Sequence, residues 1–304
     1  MQGFDIIGDI HGHADALRRL LEAMGYLRHG DVYRHPTRTF VFAGDFVDRG
    51  PHQRETLRIA RAMVEAGTAR AVMGNHEFNA IAYATPDGQG GFLRPLTEKN
   101  RAQHSAFLDE VGDGSPDHAD AVAWFKTLPL WLDLGGLRVV HACWHPLSQQ
   151  ALADCLDHQN RLTERGIFEV NKRGSVAYEA AEILLKGPEV RLPEGCSFRD
   201  KDENLRHEAR LRWWDQNATT FRTATLGMEG REGELPDDPV PAEFRYDDAT
   251  PVLFGHYWMS GKPQILDPRA SCLDFSVAKG GVLTAYRWSG EPELRAENLV
   301  WVAA

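Results

Sequence analysis

Five short apolar runs of the sequence each end in side chains that can bind a metal ion or carry a proton. In chain order, the candidate ligands among them are Asp9, His11, Asp45, Asn75, His141 and His256. Oxygen and imidazole donors without a thiolate suit manganese, iron or zinc. Six donors exceed the four that one tetrahedral ion needs. The set therefore indicates two divalent ions, roughly 3.5–4 Å apart and bridged by one carboxylate, an arrangement that favours hydrolysis.

The elements that must position these donors can be predicted for the first eighty residues. Apolar runs at 4–8, 39–43 and 69–73 predict buried strands, and apolar residues at helical spacing predict helices around 17–24 and 57–64. This β-α-β-α-β order predicts parallel strands joined by helical crossovers. Since the carboxyl ends of such strands form the ligand crevice, we expect the donors to meet there.

The rest of the chain is predicted to be less regular. Residues 85–118 and 142–250 are two long polar stretches that we expect to leave the sheets, the second with a helix over 176–185. Further predicted strands cover 137–140, 252–254, 264–267, 271–275, 282–288 and 299–302. The pair Trp213-Trp214 is expected to be half-buried core rather than a surface on which bases stack.

Composition limits the class of protein. The chain has 304 residues, 42% of them apolar and 26% charged, with a formal net charge of -10. These are globular values, and the acidic balance argues against nonspecific binding to nucleic acid or to anionic membranes. Four cysteines without a CxxC pair, no 18-residue apolar run and no basic-then-apolar leader predict a cytoplasmic protein with reduced thiols.

Three sequence blocks carry a family resemblance. They are Gly8-Asp9-Ile10-His11-Gly12, Gly44-Asp45-Phe46-Val47-Asp48-Arg49-Gly50 and Gly74-Asn75-His76-Glu77. They resemble the signature of the calcineurin-like metallophosphoesterase superfamily, in the branch of bacterial phosphoprotein phosphatases and dinucleoside tetraphosphatases. The separations of 36 residues from Asp9 to Asp45 and 30 from Asp45 to Asn75 match as well. His141 and His256 resemble the later ligand blocks.

The resemblance implies an α/β fold, a four-layer αββα sandwich in which two mixed sheets are flanked by helices. It implies one domain over 1–304, with 85–118 and 142–250 as insertions at the rim of the site. It also implies two divalent metal ions, of which manganese is expected first and iron or zinc next. The partner would be a phosphorylated substrate: a phosphoprotein, a nucleotide or a small phosphoester.

The resemblance also implies roles for individual residues. Asp9 and His11 would hold the first metal, Asn75, His141 and His256 the second, and Asp45 would bridge the two. His76 would be the general acid, oriented by Asp48, and Arg49 would hold the phosphoryl group. A hydroxide that bridges the metals would attack phosphorus in line, without a covalent phosphoenzyme.

Other residues near the motifs are harder to place from sequence. A second phosphate-binding arginine is expected between the last two histidines, where Arg210 and Arg212 are the best candidates and Arg173 follows. Glu77 is expected to support its neighbours or start a helix rather than bind metal. Five histidines without such motif context are expected to be structural or on the surface: His13, His52, His104, His145 and His207.

Three functions stay open at this point. The leading hypothesis is a phosphatase of phosphate monoesters, of the kind that acts on Ser/Thr phosphoproteins. The alternative is a dinucleoside polyphosphate hydrolase, a branch that often replaces the residue matching Asp48; the Asp48-Arg49 pair of this chain favours the phosphatase. A non-catalytic scaffold is disfavoured, because every assignable ligand is retained.

Overall fold

The computed structural model describes residues 3–199, 205–228 and 230–304. Residues 200–204 and 229, within the predicted insertion 142–250, lie outside this range. The strands are β1 (Gly3–Ile7), β2 (Leu27–His29), β3 (Val32–Arg34), β4 (Arg38–Phe42), β5 (Ala69–Ala71), β6 (Trp131–Asp133), β7 (Arg138–Val140), β8 (Glu189–Arg191), β9 (Phe198–Arg199), β10 (Leu205–Arg206), β11 (Glu208–Arg210), β12 (Val252–Phe254), β13 (Ala270–Cys272), β14 (Asp274–Phe275), β15 (Val282–Trp288) and β16 (Leu299–Ala303). The helices are α1 (Ala14–Ala23), α2 (Gln53–Glu65), α3 (Asn75–Ala84), α4 (Glu98–Gln103), α5 (Ser105–Val111), α6 (Pro116–Phe125), α7 (Pro146–Ala151), α8 (Glu164–Glu169), α9 (Val176–Lys186) and α10 (Phe221–Ala224).

The first large sheet has the order β14-β15-β1-β4-β5, and β16 also pairs with β15. Strands β1, β4 and β5 are parallel, and α1 and α2 lie in the connections between them. This confirms the predicted parallel strands with helical crossovers, while the antiparallel hairpin of β2 and β3 between α1 and β4 was not predicted. Strand β15 returns antiparallel to β1 and makes the sheet mixed.

The second large sheet has the order β13-β12-β7-β6. Strands β7, β12 and β13 are parallel, and β6 is antiparallel to β7. Both sheets are therefore mixed, as predicted, and the parallel strands of each end beside the functional blocks of the sequence.

Side-chain alternation explains why the two sheets stack. Ile6 and Val41 pack with Val139 and Leu253 in one buried cluster between the sheets. Their neighbours along the strands point the other way, toward the helices; Phe42 packs there with residues of α1 and α2. Strands buried on both faces need apolar residues at every position, which is the near-continuous apolar pattern of the sequence. The four-layer sandwich is confirmed.

Aromatic residues of the 142–250 stretch cover the outer face of the second sheet. The ring centroid of Phe254 on β12 lies 4.6 Å from that of Trp213 and 5.1 Å from that of Trp214. Both tryptophans are almost fully buried. The prediction that this pair belongs to the core is confirmed.

Two stretches differ from the sequence-based prediction. Residues 85–118 contain α4, α5 and the start of α6, because Phe107, Leu108 and Val111 bury one short helical face and Thr97 caps α4 through its side chain. The predicted strand at 264–267 is wrong. Its backbone turns instead, and the Leu266 N–H donates to the Ser271 hydroxyl rather than to a neighbouring strand.

Neither a membrane-spanning helix nor a disulfide bond is found in the described ranges. No helix in the described ranges is long and apolar enough to cross a membrane. All four cysteines are unpaired, and Cys143, Cys155 and Cys272 are buried. The division into one domain with two rim insertions stays a prediction.

A buried carboxylate on the central strand β1 ties the first sheet together. Asp5 on β1 is inaccessible to solvent and accepts hydrogen bonds from Tyr26 Oη at 3.0 Å, Arg38 Nε at 2.7 Å and Arg287 Nε at 3.2 Å. Arg38 lies on β4 and Arg287 on β15, so one charge joins three adjacent strands. Removing it would leave two cations without their counter-ion.

We therefore expect Asp5→Asn to lower the free energy of unfolding by about 3 kcal/mol, the cost of breaking a buried ion pair from one side. Urea unfolding measures this change. Asp15→Asn is the control, because Asp15 forms an exposed pair with Arg18 worth less than about 1 kcal/mol. A similar loss in both variants would contradict the central role of Asp5.

Candidate metal centre

The site lies where strands of both sheets end. Asp9 and His11 follow β1, Asp45 follows β4, and Asn75 begins α3 just after β5. The remaining two candidates, His141 after β7 and His256 after β12, come from the second sheet. Backbone hydrogen bonds join these loops, from the His11 N–H to Asp45 O at 2.9 Å and from the Gly255 N–H to His141 O at 2.8 Å.

One carboxylate oxygen is common to both halves of the site. Asp45 Oδ2 lies 3.7 Å from His11 Nε2, 3.4 Å from His141 Nε2 and 3.9 Å from His76 Nε2. Two groups of donors that could each hold an ion meet at Asp45: one with His11 and His76, the other with His141 and His256. Asp45 is thus placed where a bridging ligand would be.

Asp9 and Asn75 complete the two halves. Asp9 Oδ2 lies 3.8 Å from His11 Nε2 and accepts the backbone N–H of His256 at 3.1 Å. Asn75 Oδ1 lies 3.0 Å from His141 Nε2 and 2.7 Å from His256 Nδ1. All six ligand candidates from the sequence are therefore brought together.

The orientation of the imidazoles fits metal binding. Nδ1 of His11 donates to Val47 O at 2.9 Å, and Nδ1 of His141 donates to Ala43 O at 2.8 Å. In the neutral form of each ring, this bond leaves the lone pair on Nε2, and both Nε2 atoms face Asp45 Oδ2, at 3.7 Å and 3.4 Å. Two ligand atoms that each lie about 2.0–2.2 Å from one shared ion are separated by similar distances, so the arrangement has room for a metal.

The charge state of two histidines fits as well. Burial lowers the pKa of His11 to about 3. Burial, followed by the charge of Arg210, holds the pKa of His256 well below its usual value. Their Nε2 atoms are buried without a hydrogen-bond partner. Neutral imidazole with a free lone pair is the form that binds a metal.

The carboxylates create a demand for positive charge. Burial, together with the charges of Asp274 and Asp45, raises the pKa of Asp9 well above its usual value. Burial would also raise the pKa of Asp45, but His141 and His76 outweigh it and hold that pKa well below its usual range. Since buried charges of one sign destabilise each other, divalent cations among these oxygens would relieve the repulsion.

The backbone is strained at the site. Six of the eight non-glycine residues with positive φ in the described part of the chain belong to these loops. They are His11, Asp45, Asp48, Arg49, His256 and Trp258. Such residues cost about 1–3 kcal/mol each and persist where the surroundings hold them, typically at functional sites. A Cβ on Gly255 would lie 2.0 Å from Asp9 Oδ1, so only glycine fits beside that carboxylate.

Glu77 holds two of the loops in register. Its carboxylate accepts the backbone N–H groups of Asp45 at 2.9 Å, Phe46 at 2.8 Å and Gly74 at 2.9 Å. Burial and the charge of Asp45 raise the pKa of Glu77 to about 7. Glu77 therefore supports its neighbours from the first turn of α3, as the sequence predicted.

A proton-transfer group lies beside the ligands. His76 Nδ1 is 2.5 Å from Asp48 Oδ2, and His104 Nδ1 is 2.7 Å from the other oxygen of the same carboxylate. Burial would lower the pKa of His76, but the negative charges of Asp45 and Asp48 outweigh burial, and the pKa is raised. Burial would raise the pKa of Asp48, but the two histidines lower it to about 2. His104, expected to be structural, is the second partner of Asp48.

The candidate phosphate-binding arginines lie in different surroundings. Arg49 lies with its guanidinium carbon 4.3 Å above the ring of Trp258, whose centroid is 5.6 Å from that of His11. The guanidinium carbon of Arg210 is 5.9 Å from the Tyr257 ring centroid, and its charge acts on His256. Arg212 is placed instead where its charge acts on Glu232.

Sequence reasoning missed His104, Trp258 and Asp274. His104 and Trp258 stand alone in their stretches, without a repeated spacing that marks them. Asp274 is buried and accepts the backbone N–H of Trp258 at 2.8 Å. Its place within the predicted strand 271–275 could have indicated a structural or functional role, because a buried carboxylate needs partners.

Comparison with known proteins identifies the family. The model for calcineurin-like phosphoesterases matches residues 4–256, and the chain belongs to this family. The chain is accordingly a metal-dependent hydrolase of phosphate esters, as predicted. The family uses divalent metals, and the donors described above fit them.

Individual relatives and structures agree with this assignment. The chain is 27% identical over 290 residues to a symmetrical bis(5'-nucleosyl)-tetraphosphatase of Ralstonia nicotianae, covering 94% of this chain and 89% of the relative. It is 47% identical over 126 residues to the asymmetrical bis(5'-nucleosyl)-tetraphosphatase PrpE of Halalkalibacterium halodurans, covering 41% of this chain and 48% of that protein. A crystal structure provisionally assigned as a diadenosine tetraphosphatase superposes with a TM-score of 0.51 at 19% identity, covering 99% of this chain and 93% of the other, and shows the shared fold.

We expect Asp45→Asn to lose metal as well as activity, because the shared oxygen loses its negative charge. After loading with Mn²⁺ and dialysis, elemental analysis should find two ions per wild-type chain and fewer than one per variant chain. Asp120→Asn, at an exposed helix position, is the control. Full metal content in Asp45→Asn would rule out the shared position.

Proposed function

We propose that this chain hydrolyses dinucleoside polyphosphates at a centre of two divalent metal ions. One observation supports hydrolysis at this centre. Two groups of possible metal ligands share Asp45, and the His76 Nε2 atom lies 3.9 Å from Asp45 Oδ2. The substrate class rests on the relatives, because the relative with the most complete overlap described above is named a symmetrical bis(5'-nucleosyl)-tetraphosphatase.

The residues divide the work as follows. Asp9 and His11 would hold one ion, Asn75, His141 and His256 the other, and Asp45 both. Bound divalent ions supply an activated water at neutral pH and offset the negative charge that develops on the phosphoryl oxygens. Arg49, fixed against Trp258, would donate to the phosphoryl oxygens from a defined direction.

His76 is proposed as the general acid. Its Nδ1 is bound to Asp48, which leaves Nε2 to carry the proton toward the leaving oxygen. Burial would lower the pKa of His76, but Asp45 and Asp48 outweigh it, so this imidazole holds its proton more strongly than a free one. Asp48 is itself held from the far side by His104, which fixes the orientation of the imidazole.

The choice of substrate reverses the ranking from sequence. Sequence analysis placed phosphate monoesters first because Asp48 and Arg49 are both present. The relatives favour the alternative. The presence of Asp48 remains compatible with it, since an imidazole held by Asp48 can donate a hydrogen bond to the phosphate oxygen of a departing nucleotide, which leaves as an anion.

Two finer statements stay predictions. Manganese is the first metal to test, with iron and zinc next, because the donors are oxygen and imidazole. A cytoplasmic location rests on the cysteine usage of the sequence.

Steady-state kinetics with saturating Mn²⁺ tests the substrate class. We expect kcat/KM to be highest for diadenosine tetraphosphate, lower for p-nitrophenyl phosphate and lowest for a phosphoserine peptide. Product analysis by chromatography separates symmetrical cleavage, which yields two ADP, from asymmetrical cleavage. Faster turnover of the phosphopeptide than of the dinucleotide would overturn the proposed substrate while leaving the hydrolytic centre intact.

The proton-transfer role of His76 is tested with aryl phosphates, in which the leaving group varies and the phosphoryl group does not. His76→Asn should lower turnover of phenyl phosphate by about 10²–10⁴-fold, the usual contribution of general acid catalysis. The loss should be smaller for p-nitrophenyl phosphate, whose leaving group needs no proton. His29→Asn, on the exposed strand β2, is the control. An equal loss on both esters would remove the general acid role.

A further inference from the structure

A cleft opens beside the metal centre on the side of His76. This His76 cleft has a volume of about 140 Å³ and its walls include Arg49, His76, Asn79, Arg94, Asn100 and His104. A general acid must lie next to the leaving oxygen, so what departs from phosphorus must extend into the space that the acid lines. The His76 cleft is therefore the place for the leaving group.

Arg94 gives this cleft its chemical character. Its Nη1 donates to Asn79 Oδ1 at 2.8 Å and its Nη2 donates to Gln103 Oε1 at 2.8 Å. These amide oxygens fix the plane of the guanidinium without neutralising its charge. Burial is the largest influence on the pKa of Arg94 and lowers it, which means that the half-buried cation has given up part of its hydration. An oriented, partly desolvated guanidinium is matched to phosphate oxygens.

A second cleft continues from the first. The Arg173 cleft has a volume of about 110 Å³, and it shares Asn79, Arg94 and Asn100 with the His76 cleft. Its walls add Arg173, Lys186 and Glu182, of which the last two form an ion pair with each other. The charge of Arg173 acts on Arg94, so the two cations are near neighbours. Three cations thus follow one another outward from Arg49 through Arg94 to Arg173. The carboxylates of Asp48 and Glu182 lie in the same walls.

We propose that Arg94, with Arg173 behind it, binds the phosphate groups of a leaving nucleotide, and that this subsite selects substrates whose leaving group is itself a phosphate chain. The inference rests on the proposed function and deepens it. A serine or tyrosine leaving group would bring no anion to Arg94, whereas a nucleoside diphosphate would. The insertion 85–118, which supplies Arg94 and the partner of its Nη2, then acts as a specificity element.

The direct test measures product binding. Adenosine diphosphate and inorganic phosphate are each used to inhibit hydrolysis of p-nitrophenyl phosphate by the wild-type and Arg94→Ala enzymes. The inhibition constant of adenosine diphosphate should rise by about 10- to 100-fold in Arg94→Ala, the range for losing one charge-assisted hydrogen bond. The rise for inorganic phosphate should be at least tenfold smaller. Arg94→Lys should recover part of the loss, since it restores the charge without the planar fork.

Arg101→Ala is the matched control, because Arg101 lies in the same insertion but is exposed and paired with Asp113. It should leave both inhibition constants unchanged. Unaltered inhibition by adenosine diphosphate in Arg94→Ala would overturn the subsite. So would an equal weakening for both anions, which would place the effect at the metal centre.

Failure of the subsite and failure of the proposed function give different results. The inhibition test needs turnover of p-nitrophenyl phosphate only. If wild-type enzyme turns over that ester but not diadenosine tetraphosphate, the proposed substrate fails whatever Arg94 does. If it turns over both, and Arg94→Ala lowers kcat/KM equally for the two, the proposed substrate stands and the subsite fails.

Discussion

The metal centre depends on the placement of one carboxylate. Asp45 is buried with its Oδ2 within 4 Å of three imidazoles, two from loops and that of His76 from the first turn of α3. In this position the backbone of Asp45 has a strained left-handed conformation, with a φ of 51°. Asp45 Oδ1 accepts the backbone N–H of His76 at 3.0 Å, and the backbone N–H of Asp45 donates to Glu77. If Asp45 moved, the two donor groups would no longer share an atom, and His76 would lose its position relative to them.

Positive charge is concentrated beside the metal centre of this acidic protein. A chain with a net charge of -10 binds an anionic substrate only if cations are concentrated at the site. The centre itself is rich in carboxylates and would need metal ions to become attractive to phosphate. Beyond it, Arg49, Arg94 and Arg173 line consecutive parts of the adjoining clefts. Metal ions and Arg49 would thus serve the reacting phosphoryl group, and Arg94 and Arg173 the phosphates farther along the substrate.

Much of the centre could be predicted from sequence, because each ligand follows directly after the strand that positions it. Asp9, Asp45 and Asn75 are local features of β-strand ends, and parallel pairing dictates that such ends meet. The contacts of His104 and Arg94 are different. Asp48 and His104 are 56 residues apart, and a short helix within a polar stretch brings them together. No periodicity in the sequence marks that approach, so these residues were assigned no role. The predicted strand at 264–267 failed for a related reason: an apolar run there meets a side-chain hydroxyl instead of a strand partner.

The most direct test of the central claim is anomalous diffraction from crystals of the protein grown with Mn²⁺. We expect two anomalous peaks about 3.5–4 Å apart, the separation typical of two-metal hydrolytic sites. One peak should lie on each side of Asp45, and both should be within bonding distance of its carboxylate. A single peak, or two peaks of which neither contacts Asp45, would contradict the shared-ligand centre on which the proposed chemistry rests.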